Sequence, residues 1–220
     1  TLEAAQTTTG PGTVTLVEGS SFCVCAQSGD IGPGGAQGVY FRDTRLLSRW
    51  ELRIDAEPVE SLLMIPAEPF RATFVGRARP RPGKADSTLL VSRERYVGAG
   101  MREDITLRNL AGEAAGCTLT VAVDSDLADL FEVKASRLTD RGAPAVRLDT
   151  DDLVLHCQFG EQSRGVRIAA PDSLPAPGQI SFRVVVPARG SWHTTIQVHP
   201  IIDGVEPPTR YSFFIPSETT

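Results

Sequence analysis

Long apolar runs are what this 220-residue chain most plainly lacks. No window approaches the run of about 18 apolar residues that a membrane-spanning helix needs, so no membrane span is expected. No basic stretch followed by an apolar core opens the chain, so no secretory signal of the ordinary form is expected. The first residue is Thr1 rather than methionine, the start expected of a processed or trimmed piece. Helical periodicity is missing too, and no long amphipathic helix can be traced. Positive charge is in deficit: 22 lysines and arginines face 27 aspartates and glutamates, a net charge of -5 that argues against nucleic acid as the main partner.

Cysteine and histidine are sparse. The four cysteines are Cys23, Cys25, Cys117 and Cys157, with no CxxC among them. Cys23 and Cys25 share one face of a strand pattern, which points to reduced, mostly buried thiols in a cytoplasmic protein. The three histidines, His156, His193 and His199, form no cluster with cysteine at ligand spacing. No metal and no cofactor are expected. Catalytic signatures are absent as well: there is no GxSxG, no HExxH and no Ser/His/Asp pattern.

What the chain does have is alternation. At this length about 70% of the unfolded surface can be buried, so a core needs no disulfide staples. Thr13–Glu18 and Ser21–Ala26 read as paired strands across Gly19. In the stretch 38–55, Leu46, Trp50, Leu52 and Ile54 fall on one face with Ser48, and Leu47, Arg49, Glu51, Arg53 and Asp55 on the other, as a half-buried strand requires. Val59–Ile65 is expected to pair back on it. Residues 69–76 form another strand, and Ala115–Asp124 is the cleanest, with Cys117, Leu119, Val121 and Val123 inward. Thr88–Tyr96 carries charge on both faces, which places it at an edge or beneath another element. Further alternating runs reach Val198, separated by turns such as Pro175–Gly178 and Pro187–Gly190. Trp50 and Trp192 lie on apolar strand faces and are read as core rather than as sugar-stacking platforms. About a dozen to fifteen short strands with hairpin turns give an all-β fold, a large antiparallel β-sandwich with at most short helical turns.

Four segments interrupt the alternation. The glycine-rich residues 27–37 lack the following helix that a phosphate cradle needs and read as a turn or a partner-facing loop. Arg42-Asp43-Thr44-Arg45 is a charged knot, either a solvated corner or a docking surface. Arg77–Lys84 holds four positive charges and two prolines and reads as a solvated hairpin tip. Asp124–Lys134 places three aspartates close together, but the calcium-loop glycine and distal glutamate are missing. Leu127, Leu130 and Phe131 fit a single helical turn docked on the sheet, with Asp126 as its N-cap. Glu94, Glu103, Asp104, Asp129 and Glu132 stand as isolated acids, and spacing cannot show whether any two oppose each other across a sugar.

Several motifs carry a family resemblance. Leu16–Val24 (LVEGSSFCV), Gly29-Asp30-Ile31 and the run from Gly38 to Trp50 resemble the N-terminal domain of bacterial glycogen-debranching-type amylo-α-1,6-glucosidases. Glu94-Arg95-Tyr96, Arg102–Asn109 and Asp126–Lys134 resemble further motifs of that domain, and the likeness runs from about residue 13 to 215. It implies a supersandwich-like β domain over 13–215, after a loose lead-in at 1–12. Residues 211–215 would be a last strand or the start of a linker, and 216–220 a tail towards an absent catalytic (α/α)6 toroid. No catalytic residue is carried over. The implied role is accessory: packing against the catalytic domain of the same parent chain and shaping an α-glucan cleft. Arg42, Asp43, Arg45, Asp126, Asp129, Phe131 and Glu132 are the candidates for that interface or for glucan contact. The alternative is a free-standing carbohydrate-binding or protein-interaction module. A self-sufficient enzyme would instead require an opposed carboxylate pair in a cleft.

Overall fold

Alternation becomes pairing in the computed structural model, which describes residues 12–80, 86–140, 142–208 and 211. The expected lead-in before Gly12, the last strand beyond Tyr211, the tail and the centre of the basic hairpin tip lie outside the described residues. Strands β1 (Thr13–Glu18) and β2 (Ser21–Ala26) pair in the register expected across Gly19. They continue through β3 (Gly38–Phe41) to β4 (Thr44–Leu47), giving a four-stranded sheet in chain order. A five-stranded sheet runs β15 (Leu174–Ala176), β16 (Gln179–Val186), β11 (Ala115–Asp124), β5 (Arg49–Ile54), β6 (Glu57–Pro58). The largest sheet has eight strands, in the order β12 (Ala145–Asp149), β13 (Asp152–Phe159), β14 (Gln162–Ala169), β17 (Ser191–Ile202), β10 (Gly100–Asn109), β9 (Leu89–Gly98), β8 (Arg71–Arg77), β7 (Glu60–Pro66). Every pair is antiparallel, and the one helix is α1 (Leu130–Lys134). The fold is all-β and sandwich-like.

Both smaller sheets lie on the eight-stranded one. β1 and β2 rest on β9, β3 on β10, β4 on β14, and β16 on β10 and β17. The inward residues of all three sheets form one hydrophobic core. Trp50 is at its centre, fully buried, its backbone paired with Ile31 from the glycine-rich loop. That loop is a packed element. Gly29 takes φ 85°, and a Cβ there would sit 2.8 Å from the Phe74 ring. Trp192 is half-buried and packs edge-to-face on Phe182, with ring centroids 5.6 Å apart. Cys23, Cys25 and Cys117 are buried free thiols, and Cys157 is half-buried.

Two expectations need correction, and of the two places expected for Thr88–Tyr96 the structure takes the one beneath another element. The stretch from Thr44 to Ile54 is two strands, because the chain passes from one sheet to another at Ser48, whose N–H donates to Asp124 O at 2.9 Å. Leu46 and Leu47 are therefore both buried. Val59–Ile65 does not pair back on β5: two-residue β6 does that, while β7 pairs with β8 at the far edge of the eight-stranded sheet. β9 is an interior strand, flanked by β8 and β10 and lying beneath β2. Its Arg93 and Arg95 point inward because Glu103, on the adjacent β10, is buried with them. Arg93 Nε donates to Glu103 Oε1 at 2.7 Å and Arg95 Nε to Oε2 at 2.6 Å. Arg93 Nη1 also reaches Asp30 Oδ1 at 2.5 Å, and Arg95 Nη1 the Cys23 sulfur at 3.7 Å. Burial would raise the Glu103 pKa, but the two guanidiniums outweigh it and hold the carboxyl below the ordinary range. The Cys23 thiol is lowered to about 7, first by its hydrogen bond with Cys25 and further by Arg95.

Candidate functional site

The β3–β4 hairpin turns through two residues, Arg42 and Asp43, with Phe41 opposite Thr44. Arg42 occupies the left-handed region at φ 53°. The segment after β11 then docks on this hairpin. Arg45 N–H donates to Ala128 O at 2.9 Å, Leu130 N–H donates to Asp43 O at 2.8 Å, and Thr44 bridges Asp129. The Arg45 side chain, 3% exposed, locks the junction. Its Nε donates to Asp126 Oδ1 at 3.1 Å, its Nη2 pairs with Asp126 Oδ2, and its Nη1 donates to Gly35 O at 2.9 Å. One guanidinium thus ties together β4, the glycine-rich loop and the segment leading to α1. A bidentate fork of this kind fixes geometry as well as charge. All seven residues singled out from the sequence meet in this corner.

Their roles differ from those expected in two respects. Asp126 is not the N-cap. It accepts from Arg45 and from Ala128 N–H at 3.2 Å, and Leu127 at φ 49° interrupts the chain before a helix can start. Asp129 caps α1, accepting from Phe131 N–H at 2.8 Å. Phe131 does not dock on the sheet either: it is 69% exposed, whereas Val133 turns inward. With Leu130, Val133 packs around Tyr40, Ala128 and Phe22. Phe22 and Tyr40 stack with centroids 4.4 Å apart and rings 9° from parallel. Val17, opposite Phe22 and 45% exposed, extends this apolar row across the outer face of the four-stranded sheet. The row therefore runs Val17, Phe22, Tyr40 and Leu130, and the next residue, Phe131, projects into solvent.

The isolated acids are all committed. Glu103 serves Arg93 and Arg95, Glu94 pairs with Arg71, and Asp104 pairs with Arg102 and accepts from Thr195 Oγ1. Asp129 caps the helix, and Glu132 accepts from Thr139 Oγ1 at 2.5 Å. Among the described residues no three His, Cys, Asp or Glu side chains gather as a metal site, and no helix is long and apolar enough to cross a membrane.

The charged tip has a second side. Arg42 and Asp43 form one wall of a cleft of about 190 Å³, and the start of β14, beside the β13–β14 turn, and the residue after β17 supply the other wall through Gln162, Arg164 and Asp203. No sequence pattern marks these three, since more than a hundred residues separate them from Arg42 and only the sheet packing brings them near.

The corner lock is testable. Replacing Asp126 by alanine leaves a buried guanidinium with carbonyl partners alone. With Asp126 partly open to solvent, the expected loss is about 2 kcal/mol. Thermal denaturation should show this as a midpoint drop of roughly 4–8 °C. Amide exchange at Leu130 should quicken as the docked segment loosens. An unchanged midpoint would show that the fork contributes nothing.

Comparison with known proteins gives these features a setting. No curated protein matches the chain. A solved structure named "Putative kojibiose phosphorylase from human microbiome" shares the fold, with a TM-score of 0.52 at 10% identity over 86% of this chain. The chain spans 30% of that protein's length. A galactose mutarotase-like protein from Clostridium acetobutylicum aligns over 86% of this chain and 94% of its own, with a TM-score of 0.41 and 7% identity. The family model described as the N-terminal domain of (some) glycogen debranching enzymes matches residues 16–197, from β1 into β17, and the chain belongs to that family.

Proposed function

We propose that the chain is the non-catalytic N-terminal domain of a debranching-type glycoside hydrolase, in the manner of an amylo-α-1,6-glucosidase of the cytoplasm. In this reading it packs against the catalytic toroid of its parent and helps shape the α-glucan cleft. The observation that carries the reading is the exposed ring of Phe131, which follows Leu130 of the apolar row in sequence. A ring 69% exposed on a capped helical turn, itself clamped by Arg45 and Asp126, is a rigid hydrophobic projection. Such exposure is what an interface anchor looks like before its partner covers it. Phe131 is also the one aromatic among the exposed large hydrophobics of the described residues. A free-standing module that holds sugars by stacking would show a platform of several exposed rings, so the docked reading is favoured. The committed state of the isolated acids supports a role without chemistry of its own.

The test has two parts. The 220-residue chain, incubated with maltoheptaose and with glycogen, is expected to release no glucose. In the whole parent enzyme, Phe131→Ser should lower kcat/KM towards glycogen several-fold. The same change in the chain alone should leave its stability within about 0.5 kcal/mol. Turnover by the chain alone, surviving removal of contaminating amylases, would sink the reading. An unaffected parent would take Phe131 out of the interface.

A further inference from the structure

We infer that the cleft between the β3–β4 tip and the β13–β14 turn holds one hexose unit of a neutral α-glucan, by hydrogen bonds and without cleaving it. The choice of α-glucan rests on the function proposed above; the choice of a neutral polyhydroxyl ligand rests on the cleft itself.

Its charges balance. Arg42 and Arg164 line it, and neither forms an ion pair among the described residues. Each guanidinium instead lies over a phenylalanine ring, Arg42 over Phe41 at 5.2 Å and Arg164 over Phe159 at 5.6 Å. Asp43 and Asp203 line it too. The Asp43 carboxylate has no ion-pair partner among the described residues, and Asp203 accepts from Ser163 N–H at 2.8 Å, which fixes the far wall. Two cations facing two carboxylates make a poor cage for a phosphate dianion and a good one for vicinal hydroxyls. A guanidinium donates two parallel N–H groups to neighbouring hydroxyl oxygens, and a carboxylate accepts the O–H groups. Gln162 adds an amide that does both. A cleft of about 190 Å³ is on the scale of a single sugar ring rather than of a chain.

Arg42 sits at φ 53° on a two-residue hairpin tip, where glycine is the easy choice and a long side chain is strained. This supplies a variant that removes the binding group without threatening the fold: Arg42→Gly relieves the strain.

Titration of the 220-residue chain with maltoheptaose, followed by amide NMR, tests the inference. Saturable shifts are expected at Arg42, Asp43, Arg164 and Asp203. Arg42→Gly should weaken binding about tenfold or more, with a melting temperature equal to or above that of the unaltered chain. Arg164→Ala should weaken it similarly. No saturable binding, or binding unchanged in both variants, would overturn the assignment. Inorganic phosphate shifting the same amides while maltoheptaose does not would also overturn it, in favour of an anion site. These outcomes are separable from the accessory-domain reading, which falls on turnover by the chain alone and survives a failure to bind sugar.

Discussion

Glu103→Ala is expected to remove about 3–5 kcal/mol of stability, the cost of leaving buried guanidiniums without their carboxylate. Glu103 is fully buried and accepts from Arg93 through one oxygen and from Arg95 through the other. Arg93 would keep Asp30, but Arg95 would keep only the Cys23 sulfur and the Phe74 ring, 5.3 Å from its guanidinium carbon. For a chain of this size the loss corresponds to a melting-temperature drop of roughly 6–20 °C. Because total stability is only about 5–15 kcal/mol, the single variant risks not folding. The double variant Glu103→Met with Arg95→Met removes both charges and is expected to be more stable than Glu103→Ala. A double variant as unstable as the single would show that packing, not the orphaned charge, sets the cost.

The same carboxylate gives a pH signature. Its folded pKa is depressed, so its contribution is complete above the unfolded carboxyl value of about 4.3 and is lost as pH falls through the folded value. Urea midpoints of the unaltered chain should therefore fall below about pH 4. Glu103→Gln should start lower and lose that part of the slope. Parallel curves for the two proteins would contradict the assignment.

Gly100→Ala carries the second large effect. Gly100 opens β10 opposite Gly98, with φ 118°, and a Cβ there would lie 2.1 Å from the carbonyl oxygen of Val198. That oxygen cannot retreat, since β17 is paired on both sides, to β10 and to β14. Backbone strain and overpacking together should cost about 3 kcal/mol or more, read as a lowered urea midpoint. Gly112→Ala is the matched control. No atom lies within 4 Å of its Cβ position, and stability should hold within about 1 kcal/mol. Equal midpoints for the two variants would refute the close-approach argument.

Much of this molecule is written in short-range alternation. β1, β2 and β11 were legible because side chains two apart share a face, and Cys117, Leu119, Val121 and Val123 cannot all be inward in any other conformation. The corner at Arg42–Arg45 and Asp126–Glu132 was legible as a break in that alternation, though not the division of labour within it. Asp126 and Asp129 look equally able to cap a helix. The left-handed turn at Leu127 and the approach of Arg45, 81 residues away, decide between them.

What the sequence determined by itself was the all-β class, the strand positions and the family likeness, all properties of neighbouring residues. Only the tertiary structure decided which sheet each strand joins, that the chain changes sheets at Ser48, that Arg93 and Arg95 are core residues, and that Gln162, Arg164 and Asp203 face Arg42. These depend on partners far along the chain. A charged strand face reads as exposed until a distant carboxylate such as Glu103, or a loop residue such as Asp30, is placed within hydrogen-bond reach.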